Sequence, residues 1–242
     1  MISLLLLAAA LTEIPDEPAR TAACKALVAR DASAAVEQAS AWAERDKSVA
    51  ARQCLGLAFA ASERWAPAQA AFEQAATDAQ AQNVGRPAEL WSQAANAALA
   101  ADQPARARAN IDRALALPAL PPMLAGEAWL DRARADVALD QLPQARIDLD
   151  RALALVPQDP FAWLLSATLA RRQRDLPRAQ KDVAMALKSA ADDPAVQYEA
   201  GNIAAAAGQA DAARLAWTRA AQLGPTDPAG KAAAAMLSQP QQ

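Results

Sequence analysis

This sequence predicts an all-α protein built from a superhelical stack of antiparallel helix pairs, and three observations carry the prediction. Alanine supplies 73 of 242 residues, and alanine has the best helix propensity and the smallest side chain that still favours a helix. Aromatic residues make up 4% and glycine contributes 7 residues, so the β-branched and aromatic runs expected of strands are missing. Short motifs recur at a near-constant interval. Trp91, Trp129 and Trp163 are spaced 38 and 34 residues apart, and Ala107, Ala145, Ala179 and Ala213 are spaced 38, 34 and 34. A large residue follows each of these alanines by four (Ile111, Leu149, Val183, Trp217), and another alanine follows by seven (Ala114, Ala152, Ala186, Ala220). Ala68, Phe72 and Ala75 repeat the triple one unit earlier. Self-similarity at this period marks a helical repeat.

Taken in chain order, residues 1–11 form a short apolar run with Ala8-Ala9-Ala10 offering a small-x-small cleavage pattern, and they read as an export signal. The alternative is an N-terminal helix or a misassigned start of a cytoplasmic protein, since no Lys or Arg precedes the run. The run is too short for a transmembrane helix, which needs about 20 apolar residues. Thr21-Ala22-Ala23-Cys24 has small residues before a cysteine, but Glu13, Asp16, Glu17 and Arg20 separate it from the apolar run, which argues against lipid attachment there.

Residues 15–48 read as a degenerate first repeat. Residues 49–227 hold about five repeats, divided at 49–87, 88–125, 126–159, 160–193 and 194–227. Within a repeat, Trp163, Ser166, Ala167 and Ala170 keep the i, i+3, i+4, i+7 spacing of one helical face. Ala179, Val183 and Ala186 answer from the second helix. Turns between paired helices are marked by Gln103-Pro104, Gln141-Leu142-Pro143, Asp175-Leu176-Pro177 and Gly208, because proline is tolerated in a first helical turn. The extra residues around Asn83–Pro87 and Pro118–Pro122 are expected to form longer loops. Residues 228–238 read as a closing helix that shields the last apolar face, and 239–242 as a disordered tail. Cys24 and Cys54 lie 30 residues apart, near one repeat length, which puts them on neighbouring first helices at similar heights. They are either a disulfide, favoured by an oxidising compartment, or two small buried apolar residues.

Composition narrows the function classes. Lys plus Arg number 24 against 27 Asp plus Glu, without the basic excess of a nucleic-acid binder. Histidine is absent, which removes the commonest general base and metal ligand. Two cysteines cannot close a four-ligand zinc site. There is no glycine-rich phosphate loop, nucleophile elbow or His-Glu-x-x-His helix. No metal, cofactor or catalytic residue is expected.

The residues Trp129, Ala145, Leu149, Ala152 and Pro157, together with Leu55-Gly56, Phe59, Ala68, Phe72 and Ala75, and Ala200-Gly201, Ala213, Trp217, Ala220 and Pro225, resemble the tetratricopeptide repeat over roughly residues 49 to 226. Arg132 and Asp136 depart from it, standing where that family usually has Leu and Tyr; four apart, they are expected to pair on the helix surface. The resemblance implies a concave face, lined by first helices, that holds segments of a partner protein or peptide. On that face the spacing puts Asn96, then Leu130 and Arg134, then Phe161, Leu164, Thr168 and Arg171, then Tyr198 and Asn202. Asn96, Arg134, Arg171 and Asn202 echo the family's carboxylate clamp but lack its lysines. Arg171, Arg172 and Arg174 form a basic cluster that reads as solvated surface. The expectation is therefore an interaction scaffold of the cell envelope, the alternative an enzyme or small-ligand carrier on the same helices. Oligomeric state is not legible.

Overall fold

A computed structural model describes residues 17–117 and 120–239; the expected signal run at 1–11 and residues 240–242 lie outside them. Every regular element among the described residues is helical. The chain divides into two units, one ending at Gly85 and one beginning at Arg86. The first contains α1 (Glu17–Arg30), α2 (Ala32–Asp46), α3 (Val49–Ala61) and α4 (Trp65–Gln82). The second contains α5 (Pro87–Ala100), α6 (Pro104–Ala116), α7 (Pro122–Ala138), α8 (Leu142–Leu155), α9 (Pro160–Arg172), α10 (Leu176–Ser189), α11 (Pro194–Ala206), α12 (Ala210–Leu223) and α13 (Pro228–Ser238).

Helix starts follow local chemistry. Asp31, Ser48, Asp159, Asp175, Asp193 and Asp227 each accept a backbone N–H of the first turn through the side chain, satisfying donors that have no intrahelical partner. Proline occupies the first turn of α5 to α11 and of α13. The turns inside hairpins share one geometry. Glu63, Asp102, Asp140, Arg174 and Gly208 all adopt positive φ, from 55° to 74°. The residue after each donates its N–H to the carbonyl five positions back, as Gln141 does to Asp136 at 2.8 Å and Asp175 to Ala170 at 2.9 Å. This is the Schellman closure of a helix C-terminus, repeated at intervals of 39, 38, 34 and 34 residues.

The extra length of the earlier repeats is largely helical, correcting the expectation of longer loops. α4 has 18 residues against 14 in α8, α10 and α12, and α7 has 17 against 13 in α9 and α11. Each gain of four residues is close to one 3.6-residue turn, which lengthens a helix while leaving its buried stripe facing nearly the same way.

Inside the hairpins one interval governs packing. Small residues Gly56, Ala95, Ala133, Ala167 and Gly201 stand sixteen residues before Phe72, Ile111, Leu149, Val183 and Trp217. A Cβ on Gly56 would run into the Phe72 ring, and one on Gly201 into the Trp217 indole. Ala95 and Ile111, Ala133 and Leu149, and Ala167 and Val183 share apolar clusters. In the second unit each second helix also packs on the following first helix, and α13 covers the end, with Ala233, Met236 and Leu237 against Trp217 and Ala220. Of the expected tail, Gln239 is described, as the C-cap of α13.

In the first unit, Cys24 of α1 and Cys54 of α3 are joined as a disulfide with Cα atoms 6.1 Å apart. Both cysteines are buried beside Leu27, Ala35, Ala39 and Trp42. No helix among the described residues is long and apolar enough to cross a membrane.

Candidate functional site on the first-helix face

One residue before the Ala133–Leu149 and Ala167–Val183 pairs, the same sixteen-residue interval carries polar partners. Arg132 of α7 donates from Nε and Nη2 to the two carboxylate oxygens of Asp148 on α8, at 2.7 and 2.8 Å. The Ser166 hydroxyl of α9 donates to Asp182 on α10 at 2.5 Å. Asn110, Asp148 and Asp182 are all buried. Arg132 also reaches Asp112 of the preceding hairpin at 2.7 Å, while Arg146 of α8 donates to the Ser166 hydroxyl at 2.7 Å. Hydrogen bonds to Asp148 hold the Arg132 guanidinium firmly protonated against the cost of desolvation. Arg132 and Asp136, expected to pair with each other, therefore have other partners. Arg132 turns to Asp148, and Asp136, fully buried, meets Arg108 of α6 at 2.6 Å. Burial pushes the Asp136 carboxyl above its ordinary range, with Arg108 opposing.

These contacts fill the hairpin interiors and leave the first-helix face of the second unit as the candidate interface. α5 packs along α7, and α9 along α11, whereas α7 and α9 make no comparable contact. The seam explains the difference. Ala95 and Ala128 lie in one cluster between α5 and α7, and Ala167 and Ala170 meet Ala200 and Ile203 between α9 and α11. Between α7 and α9 stand Leu130, Val137, Leu165 and Leu169. Bulkier side chains hold those helices apart and leave a cleft of ≈ 130 Å³ lined by Ala133, Arg134, Val137, Leu149, Leu165, Thr168, Leu169 and Arg172.

The anticipated groove residues divide. Arg134 and Thr168 line this cleft; Arg134 donates to Asp131 at 3.1 Å, and the Thr168 hydroxyl donates to the Leu164 carbonyl at 3.0 Å. Leu164 is half-buried, and Leu130 packs on the cluster around Ala133 and Leu149. Phe161 is 52% exposed at the start of α9. Asn96 lines a separate cleft between α5 and α7 with Glu89, Glu127 and Asp131. Burial raises the Asp131 carboxyl, opposed by Arg134 and by an Asn96 hydrogen bond.

Three residues belong to the framework instead. Arg171 donates to both carboxylate oxygens of buried Glu199 on α11, at 2.6 and 3.1 Å. Asn202 accepts from the Trp217 indole at 3.1 Å and donates to Glu199 at 3.3 Å. Tyr198 packs on the Trp217 cluster. Sequence reasoning assigned the cationic role to Arg171 because it lies three residues beyond Thr168; Arg172, read as solvated surface, is the one that lines the cleft. The signal was present in the i, i+3, i+4, i+7 stripe of Leu165, Thr168, Leu169 and Arg172.

No family model matches this sequence, and no curated protein matches it. Solved structures do. PilW, a widely conserved type IV pilus biogenesis factor, superposes with a TM-score of 0.75 at 20% identity over 89% of this chain and 97% of its own. PilF of Pseudomonas aeruginosa gives 0.73 at 15% identity over 91% and 97%. YrrB, a tetratricopeptide-repeat protein with an unusual peptide-binding site, gives 0.59 at 17% identity over 83% and 100%. With these likenesses and its repeated hairpins, the chain has the tetratricopeptide-repeat fold.

Proposed function

We propose that this chain is a non-enzymatic interaction scaffold that docks a segment of a partner protein on the first-helix face of its second unit. The cleft between α7 and α9 carries the reading: its lining is mostly apolar with two arginines, whereas the larger cleft between α5 and α7 is lined by Glu89, Glu127 and Asp131. A rigid helical framework with a preformed cleft lowers the ordering cost of binding. The peptide-binding site of the similar YrrB supports the same reading. Work in the cell envelope is supported by the apolar start with its small-x-small pattern, by the geometry that joins Cys24 to Cys54, and by likeness to a pilus biogenesis factor.

A photo-crosslinking amino acid placed at Thr168 in the native host tests the docking face, with one at Arg214, exposed on α12, as control. Crosslinked partner from position 168 and little from 214 is the expected result; the reverse pattern would move the interface to the second helices. Intact mass of the protein from its host tests the compartment. A chain beginning near residue 11 with both cysteines oxidised is expected, and a full-length reduced chain would place the protein in the cytoplasm.

A further inference from the structure

We propose that the cleft between α7 and α9 accepts one aliphatic side chain of an extended partner segment, and that Arg134 and Arg172 hold a carboxylate beside it on that segment. The proposal rests on the first-helix docking face and adds the chemistry of its ligand. Size comes first. At ≈ 130 Å³ the cleft is well below the roughly 300–1,000 Å³ of a site for a drug-sized molecule, and a single side chain suits it. Its floor is Ala133, Leu149 and Leu169, each about 1% exposed, and its walls are Val137 and Leu165. Burying a Leu-sized group there removes apolar surface from water on both sides. The Thr168 hydroxyl spends its proton on Leu164, so the apolar part offers an incoming polar group no donor.

The rim supplies the charge. Arg134 makes one contact to Asp131 and keeps half its side chain exposed. Arg172 has Asp140 at 4.0 Å, with the Arg172 side chain 40% and the Asp140 side chain 88% exposed. A guanidinium carries five N–H donors, so these contacts leave both able to grip a carboxylate in paired fashion. Polarity follows from the neighbouring cleft between α5 and α7, where Glu127 stands beside Glu89, paired with Arg86, and Asp131, paired with Arg134, and the excess of carboxylates repels an anion. That repulsion directs the partner's acid toward α9, and unfavourable alternatives of this kind fix specificity.

The test uses the full chain and short synthetic peptides that differ at two adjacent positions, Leu or Ala followed by Asp, Asn or Lys, with binding read by fluorescence anisotropy. The Leu–Asp peptide is expected to bind tightest, and either change, Leu to Ala or Asp to Asn, should weaken binding about tenfold. Arg172→Glu, at an exposed position that leaves folding intact by circular dichroism, should reverse the preference toward Leu–Lys. Leu165→Ala should erase the advantage of Leu over Ala while keeping that of Asp over Asn. Raised salt should weaken the Asp preference and leave the Leu preference. Equal binding of all peptides, no binding, or an Arg172→Glu protein that still prefers Asp would overturn the proposal. Persisting crosslinks from position 168 in that event would leave the docking face standing; loss of both would remove the face as well.

Discussion

Asp136 is a carboxylate with no exposed surface, held against the half-exposed Arg108. Because burial raises its folded-state value above the ordinary 3.8, the folded protein binds this proton more readily than the unfolded chain. The group therefore costs stability above its folded value, and that cost is relieved as pH falls through it. Asp136→Asn removes the ionisation, so the parent should gain stability relative to the variant as pH is lowered from neutral. Urea unfolding of both proteins across that range checks the sign; a widening deficit of the parent at lower pH would show that Arg108 dominates. Arg171 is a second case. Its bidentate contact with buried Glu199 means that Arg171→Ala should cost about 3 kcal/mol of stability rather than chiefly partner affinity. Arg151 is also engaged: it lies over Trp129 at 4.5 Å and reaches Asp148 at 3.8 Å.

At the scale of the element, the hairpin turn is the most regular feature. Four of its five left-handed positions carry side chains, at Glu63, Asp102, Asp140 and Arg174, and one is Gly208. A side chain in this region costs roughly 1–2 kcal/mol through its Cβ, partly offset by the greater unfolded-state freedom of glycine. Arg174→Gly is therefore expected to stabilise the protein by about 0.5 kcal/mol and Gly208→Ala to destabilise it by about 1 kcal/mol, read from thermal or urea midpoints. Gly201 is constrained by packing instead. A methyl there meets the Trp217 ring, so Gly201→Ala should cost about 1–3 kcal/mol as an overpacked core and should perturb the indole fluorescence. Gly56→Ala should act likewise through Phe72.

On the scale of the whole molecule, the helical class and the repeat were legible because they rest on apolar periodicity, which a sequence displays directly. The columns at Ala145, Leu149 and Ala152 are buried on one side of α8, as their spacing implies. The polar framework was not legible. Arg132 sits four residues from Asp136, and local spacing alone favours that pair; its partner lies across the hairpin, sixteen residues away. Arg171 points toward Glu199, 28 residues on, for the same reason. Side-chain direction around a helix, not position along it, separates Arg171 from Arg172, and one residue of angular error exchanges a framework ion pair for a binding group. The disulfide gives a prediction at this scale. Closing 30 residues restricts the unfolded chain by about 3–4 kcal/mol. Reduction should therefore raise hydrogen exchange in α1 to α3 while α9 to α13 keep their protection, and equal loss everywhere would show the two units unfolding as one.

The lengths of α4 and α7 carry a last consequence. A helix that grows by four residues rotates its added turn by only about 40° from the previous one at 3.6 residues per turn, so the stripe beneath stays in place and the hairpin still mates with its neighbours. This makes the hairpins interchangeable parts cut to different lengths. Excising residues 122–125 would trim α7 to the 13 residues of α9, and the shortened piece should seat where the long one did; removing two residues instead would turn the point where the chain enters α7 to nearly the opposite side of the helix. Quantised tolerance of this kind would let such a chain vary its reach by gene-level insertion or loss without redesigning a single seam.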